Sequence, residues 1–202
     1  MPVKNSQYPV LWYYPNVVCY IRIILLVLSV CLFAKNLIFY SLIVYATSAI
    51  LDAFDGFLAR AIKQISNFGA ILDYNIDRVN TLVLFGFLIA VKPLLLGVWI
   101  LILSVDVFSH LCRLHLVNIL SASHHKKIPS QFRLLNSYYK SQIILFLACL
   151  FYDGFLVGMI GYFSDRPLFI YSLLMVFCLP GFLFKVIIHI QQTLETLLQS
   201  RG

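Results

Sequence analysis

The chain reads as long apolar runs broken by short polar punctuation. Six runs approach the roughly 20 mostly apolar residues that an α-helix needs to cross a bilayer. They lie near 16–34, 36–60, 69–91, 94–117, 142–163 and 167–191. Lipid offers no partner to a bare backbone N–H or C=O, so spanning segments are helices or closed barrels. Continuous apolar runs lack the alternation of a barrel strand. The pattern therefore predicts an all-α, polytopic membrane protein with six transmembrane helices in one bundle. No internal repeat or low-complexity stretch interrupts it, so residues 1–202 read as a single membrane domain. Residues 1–15, which carry Trp12, Tyr13 and Tyr14, are expected to lie in the interface, where amphipathic aromatic rings settle. The first run starts too far from Met1, and lacks a small-residue cleavage site after it, to read as a signal peptide; it reads as a retained anchor. Pro180-Gly181 is expected to kink the last span.

Composition agrees with this picture. The chain is 61% hydrophobic and 11% charged, with a mean hydropathy of +0.91; a soluble domain carries about a quarter charged residues. The net charge of +7 is distributed unevenly. With six spans, one side holds Lys4, Arg60, Lys63, Lys126, Lys127, Arg133, Lys140 and Arg201, and the other Lys35, Lys92 and Arg166. That asymmetry predicts both termini in the cytosol. The basic charge is thus mostly a topology signal, which also suits anionic headgroups and phosphorylated substrates. No soluble basic domain exists to carry a nucleic-acid partner. The longest polar connection, 118–141, holds His124, His125, Lys126 and Lys127 and reads as a solvated basic loop. Arg133, Tyr138 and Tyr139, toward its end and before the fifth span, could reach a substrate, which spacing alone does not show. Cys19, Cys31, Cys112, Cys149 and Cys178 all fall in apolar segments without paired spacing, as small buried hydrophobes do.

The acidic residues change the picture most. Of eight, four lie between positions 52 and 77, inside or beside apolar runs. Each costs about 2.5–3.5 kcal/mol at a bilayer centre and less near a helix end, so something must neutralise them. Asp52 and Asp55 are three apart and share a helix face, with Gly56 and Ala59 close to the Asp52 direction. Asp73 and Asp77 are four apart and share a face, with Gly69 one turn earlier. A turn within 61–68 would bring the two pairs together on antiparallel helices, Asp52 beside Asp77 and Asp55 nearer Asp73. Four carboxylates in one cleft can hold about two divalent cations, and oxygen-only ligands select hard ions such as Mg²⁺ or Mn²⁺ over Zn²⁺. Such ions neutralise a pyrophosphate and stabilise its departure. Arg60 can clamp a phosphate. The alternative is that the acids act as proton relays or pair with Arg22, Arg60 or Arg78.

The run Asp52-Ala-Phe-Asp55-Gly56-Phe-Leu-Ala59-Arg60, eight residues, then Gly69-Ala-Ile-Leu-Asp73-Tyr-Asn-Ile-Asp77 resembles the CDP-alcohol phosphatidyltransferase signature, with all eight fixed positions present. The likeness extends to most of the chain. Tyr14-Pro15-Asn16, Tyr20-Ile-Arg22, and Asp106-Val-Phe-Ser109-His110 with His115 and Ser123-His124 are similar to the eukaryotic members that use myo-inositol as acceptor. Two positions depart from that branch: Cys19 stands where it tends to have Gly, and Ile76 where it tends to have Thr. Neither removes a ligand, though both alter the packing beside the acids.

The resemblance implies transfer of the phosphatidyl group of CDP-diacylglycerol to myo-inositol, releasing CMP. It implies Asp52, Asp55, Asp73 and Asp77 as ligands for two Mg²⁺ or Mn²⁺ ions, and Asp77 also as general base. It implies Gly56, Ala59, Arg60 and Gly69 as the CDP-diacylglycerol pocket, a six-helix homodimer, and a location in the endoplasmic reticulum with a cytosolic active site. Another acceptor alcohol, glycerol phosphate or serine, is the alternative within the same chemistry; a non-enzymatic ion-binding membrane protein is the alternative outside it. Asp106 and His110, four apart in the fourth span, are expected to contact inositol, to support the site, or to form a helix–helix hydrogen bond.

Overall fold

The protein is described here by a computed structural model of residues 9–62, 64–119, 131–164 and 168–199, with all side chains in them except those at 53, 55–58, 60 and 117–119. A 3₁₀ turn at Val10–Trp12 precedes α1 (Tyr14–Ala34), α2 (Ile38–Ala61), α3 (Asn67–Val91), α4 (Leu96–Ile119), α5 (Arg133–Lys140), α6 (Gln142–Phe163) and α7 (Phe169–Gln199). No strand occurs among the described residues.

Each predicted run matches a long helix to within a few residues at its start; α7 continues to Gln199, eight residues beyond the predicted end. Among the described residues, five helical segments are long and apolar enough to cross a membrane: α1, α3, Pro93–Leu116, α6 and α7. α2 itself runs for 24 residues, Ile38–Ala61; among its described side chains Ile38–Asp52 is an apolar stretch, and its last ten residues carry Asp52, Asp55 and Arg60. The eight-residue α5 is too short to be seen in an apolar-run reading; Leu135 and Tyr138, three apart, are buried on its inner face and pack with Ala148 and Ile188.

The fold divides within α3 into two compact units, Met1–Val83 and Leu84–Gly202. In the first, α1 ends in a Schellman motif. Asn36 takes φ 59°, Leu37 N donates to Leu32 O (3.0 Å) and Asn36 N to Phe33 O (2.9 Å), satisfying carbonyls that the helix end would orphan. The chain then reverses into α2, where Ser41 Oγ donates to Ser29 O (2.8 Å) and Ser29 Oγ to Ser41 O (2.9 Å).

In the second unit, α6 and α7 meet through glycine. A Cβ on Gly158 would lie 2.9 Å from the Met175 backbone N and 3.1 Å from Tyr171 O, and one on Gly161 would strike the Tyr171 ring. Small residues let membrane helices approach this closely. We expect Gly158→Ala to destabilise the protein by about 1–3 kcal/mol, as overpacking does. Gly86→Ala, with nothing within 4 Å of the new Cβ, should instead be neutral or stabilising by up to about 1 kcal/mol. Thermal midpoints in detergent check this; equal shifts for the two variants would disprove close packing at Gly158. Near the ends of α4 and α7, Arg113 and Glu195 form a buried ion pair (3.1 Å). Gln131 N donates to Glu195 Oε1 (3.1 Å), and Arg113 lies 4.5 Å from the Tyr139 ring centre. These contacts hold α5 in place. They account for Tyr138 and Tyr139 as packing residues, while Arg133 opens α5 at an exposed position.

Candidate metal and nucleotide site

Three of the four acids converge as their spacing predicts. Asp52 on α2 and Asp73 and Asp77 on α3 each offer a carboxylate oxygen, all within 4.8 Å of one another. At the centre sits Arg22 of α1, whose side chain is fully buried while the three carboxylates stay more than a third exposed. Arg22 Nη2 contacts Asp52 Oδ1 at 2.7 Å and Asp77 Oδ1 at 2.9 Å; its Nη1 contacts Asp73 Oδ1 at 2.9 Å. Asp52 and Asp77 thus share one guanidinium nitrogen, as the depth match of antiparallel helices requires. The arginine pairing foreseen as an alternative is real. Among the described side chains one cation faces three carboxylates, a cluster that still suits a divalent ion. Arg78, another arginine considered there, lies 5.7 Å from the Tyr74 ring centre.

The donor set fits a hard divalent cation: three carboxylates, clustered and partly open to solvent, with no sulfur or imidazole among them. The side chains of Asp55 and Arg60 lie outside the described residues, and so do the surroundings of Gly56. So do His124, His125, Lys126 and Lys127.

A cavity of about 280 Å³ adjoins the acids, lined in part by Asn16, Cys19, Ala59, Ser66, Gly69 and Asp73. Ala59 and Gly69, both expected in the nucleotide pocket, are on its wall. Ser66 caps α3, its Oγ accepting from Gly69 N (3.0 Å). The cavity therefore faces the N-terminal turn of a long helix, where the backbone dipole favours anions. Gly69 also has a packing role: a Cβ there would lie 2.6 Å from Asn16 Oδ1. Asn16 Nδ2 donates to Val10 O (2.6 Å), and Gln64 Oε1 accepts from Tyr14 N (3.0 Å). These bonds fix the start of α1 over the α2–α3 turn. Sequence reasoning missed Gln64 and Ser66 here; the polar stretch before Gly69 was the available signal. Cys19, one of the two departures, is buried against this cavity, and none of the five cysteines is in a disulfide.

In the second unit Asp106 and His110 also meet, and α7 adds His189. His110 Nε2 lies 3.4 Å from Asp106 Oδ1, and His189 Nε2 3.9 Å from Asp106 Oδ2. Asp106 Oδ2 accepts from Tyr152 OH (3.1 Å). His189 is a lone histidine in the sequence, and nothing in its spacing links it to Asp106.

The family model for CDP-alcohol phosphatidyltransferase matches residues 12–163. Several curated relatives are named CDP-diacylglycerol–inositol 3-phosphatidyltransferase. The chain is 32% identical to that of Candida albicans, over 94% of this chain and 82% of the relative. It is 34% identical to that of Saccharomyces cerevisiae, over 95% and 87%. It is 34% identical to that of Homo sapiens, over 81% of each. No solved structure matches the chain. Three of the four signature acids drawn together around one buried arginine, the cavity beside them and the family match over most of the chain agree: this protein belongs to the CDP-alcohol phosphatidyltransferase family.

Proposed function

We propose that the protein transfers the phosphatidyl group of CDP-diacylglycerol to myo-inositol, giving phosphatidylinositol and CMP. The observation that carries this reading is the cluster of Asp52, Asp73 and Asp77 beside a cavity walled by Ala59, Gly69 and Asp73. The relatives' shared name supplies the acceptor.

In this reading Asp52, Asp55, Asp73 and Asp77 hold two divalent ions, Mg²⁺ or Mn²⁺. When bound, those ions neutralise the pyrophosphate and stabilise the leaving CMP. The nucleotide lies against Gly56, Ala59, Arg60 and Gly69, with its phosphates toward the first turn of α3. Asp73 lines the cavity and serves the nucleotide side. Asp77, one turn further along α3, accepts the proton of the attacking inositol hydroxyl. The new bond joins that oxygen to the phosphorus bearing the diacylglycerol, the bond from that phosphorus to CMP breaks, and the electron pair leaves with CMP. Burial of Asp106, bonded to Tyr152, favours polar support over inositol contact for Asp106 and His110.

The family model spans residues in both compact units, which supports one catalytic membrane domain, with α2 as the sixth span and residues 1–15 at the interface. We place the protein in the endoplasmic reticulum as a homodimer, with both termini and the active site in the cytosol. CMP release from CDP-diacylglycerol by the purified protein, across a panel of alcohols, tests the activity. Release with inositol but not serine or glycerol phosphate is expected; the reverse preference would reassign the acceptor. A cysteine introduced near Lys127 should label from the cytosol and one near Lys92 from the lumen. The opposite pattern would overturn the orientation.

A further inference from the structure

We infer that Asp106, His110 and His189 form a second metal site, for a borderline divalent ion such as Zn²⁺. It is unlike the all-carboxylate cluster in chemistry and in the residues that build it. The three residues each offer one ligand atom, all within 4.8 Å of one another. Asp106 and His189 are almost wholly buried and His110 is partly buried. Two imidazoles with one carboxylate suit zinc and its neighbours rather than magnesium.

The hydrogen bonds around the triad fix its protonation. Ser109 Oγ donates its single proton to Asp106 O at 2.7 Å. It is also 2.7 Å from His189 Nδ1, and with its proton used it accepts there from Nδ1–H. In neutral His189 the lone pair is then on Nε2, the nitrogen turned toward Asp106. A hydroxyl that takes the remote N–H and orients the ring is the outer-shell arrangement found around metal-ligating histidines. Tyr152 OH, donating to Asp106 Oδ2, orients the carboxylate likewise.

The separations leave space for an ion between the groups: 3.4 Å from His110 Nε2 to Asp106 Oδ1 and 3.9 Å from His189 Nε2 to Asp106 Oδ2. Ligands each about 2.0–2.2 Å from one zinc stand roughly 3–4 Å apart. The rings, 5.2 Å between centroids and 66° between planes, are close and inclined rather than stacked. Lys185 Nζ lies 4.5 Å from the Tyr152 ring centre and donates to Cys149 Sγ (3.4 Å). The ion would join α4 to α7, the role of polar support proposed above for Asp106 and His110.

The full chain, purified in detergent and stripped with a chelator, is titrated with Zn²⁺ alone, and bound metal is measured by elemental analysis and calorimetry. One equivalent is expected that survives excess Mg²⁺ and persists in Asp73→Asn. His189→Ala and His110→Ala should each weaken it at least 100-fold, and Ser109→Ala about 10–100-fold through loss of ring orientation. Because His110 is the least buried ligand, its variant keeps the test decisive if His189→Ala fails to fold. Zn²⁺ binding unchanged in His110→Ala, lost only in Asp73→Asn, or absent from the wild-type chain would each overturn the inference.

Discussion

Asp77→Asn should lower turnover at least about 10²–10⁴-fold, the worth of a positioned proton transfer, while CDP-lipid still binds. Asparagine keeps the size of the side chain and an oxygen that can accept from Arg22 Nη2, the bond Asp77 makes at 2.9 Å. The helix contacts are therefore preserved, and Thr81 Oγ1 still donates to the backbone oxygen of residue 77 (3.2 Å). What is lost is the basic oxygen and part of the negative charge. A neutral amide takes no proton from an inositol hydroxyl, and the loss grows further if an ion leaves with the charge. Asp73→Asn makes the proper comparison, because Asp73 lines the cavity and Asp77 is not among its lining residues. We expect Asp73→Asn to weaken nucleotide binding in the presence of Mg²⁺, and Asp77→Asn to spare it. Calorimetric affinity and single-turnover rates for the two proteins decide the matter. Normal turnover in Asp77→Asn, or a loss of nucleotide binding as deep as in Asp73→Asn, would show that Asp77 is not the general base.

Arg22→Ala should produce the second large effect, on stability and on its dependence on metal. Arg22 is the shared counter-charge of three carboxylates, and its carbonyl oxygen accepts from Ser48 Oγ (3.2 Å). Breaking a fully buried ion pair by removing one partner costs about 3–5 kcal/mol. Here the stranded carboxylates are 35–42% exposed, so water screens part of the penalty and the loss should fall at or below the lower end of that range. The carboxylates then repel one another until a divalent ion replaces the guanidinium. Added Mn²⁺ should therefore raise the thermal midpoint of Arg22→Ala more than that of the wild type. Arg22→Lys should recover only part of the stability, since a single ammonium cannot reproduce the two-nitrogen fork. If Arg22→Ala melts like the wild type with and without Mn²⁺, Arg22 does not hold the acidic cluster together.

The sequence by itself determined the solvent, the helical class and the chemistry of the site. Apolar runs far longer than a core needs leave only helices in lipid, and the 3.6-residue period puts Asp52 with Asp55, and Asp73 with Asp77, on common faces without reference to any other segment. Those are local properties, and they were legible. Tertiary structure decided which groups answer the acids. Arg22 is fifty-one residues from Asp73, and only tertiary packing made it the central cation among the described side chains. Gly69 read as room for a ligand; folding showed that Asn16 also occupies the space its missing Cβ leaves. His189 lies 79 residues after His110 in a helix with no acidic neighbour closer than Glu195. Its meeting with Asp106 depends on how α4 and α7 pack, because spacing along one helix carries no information about a side chain contributed by another.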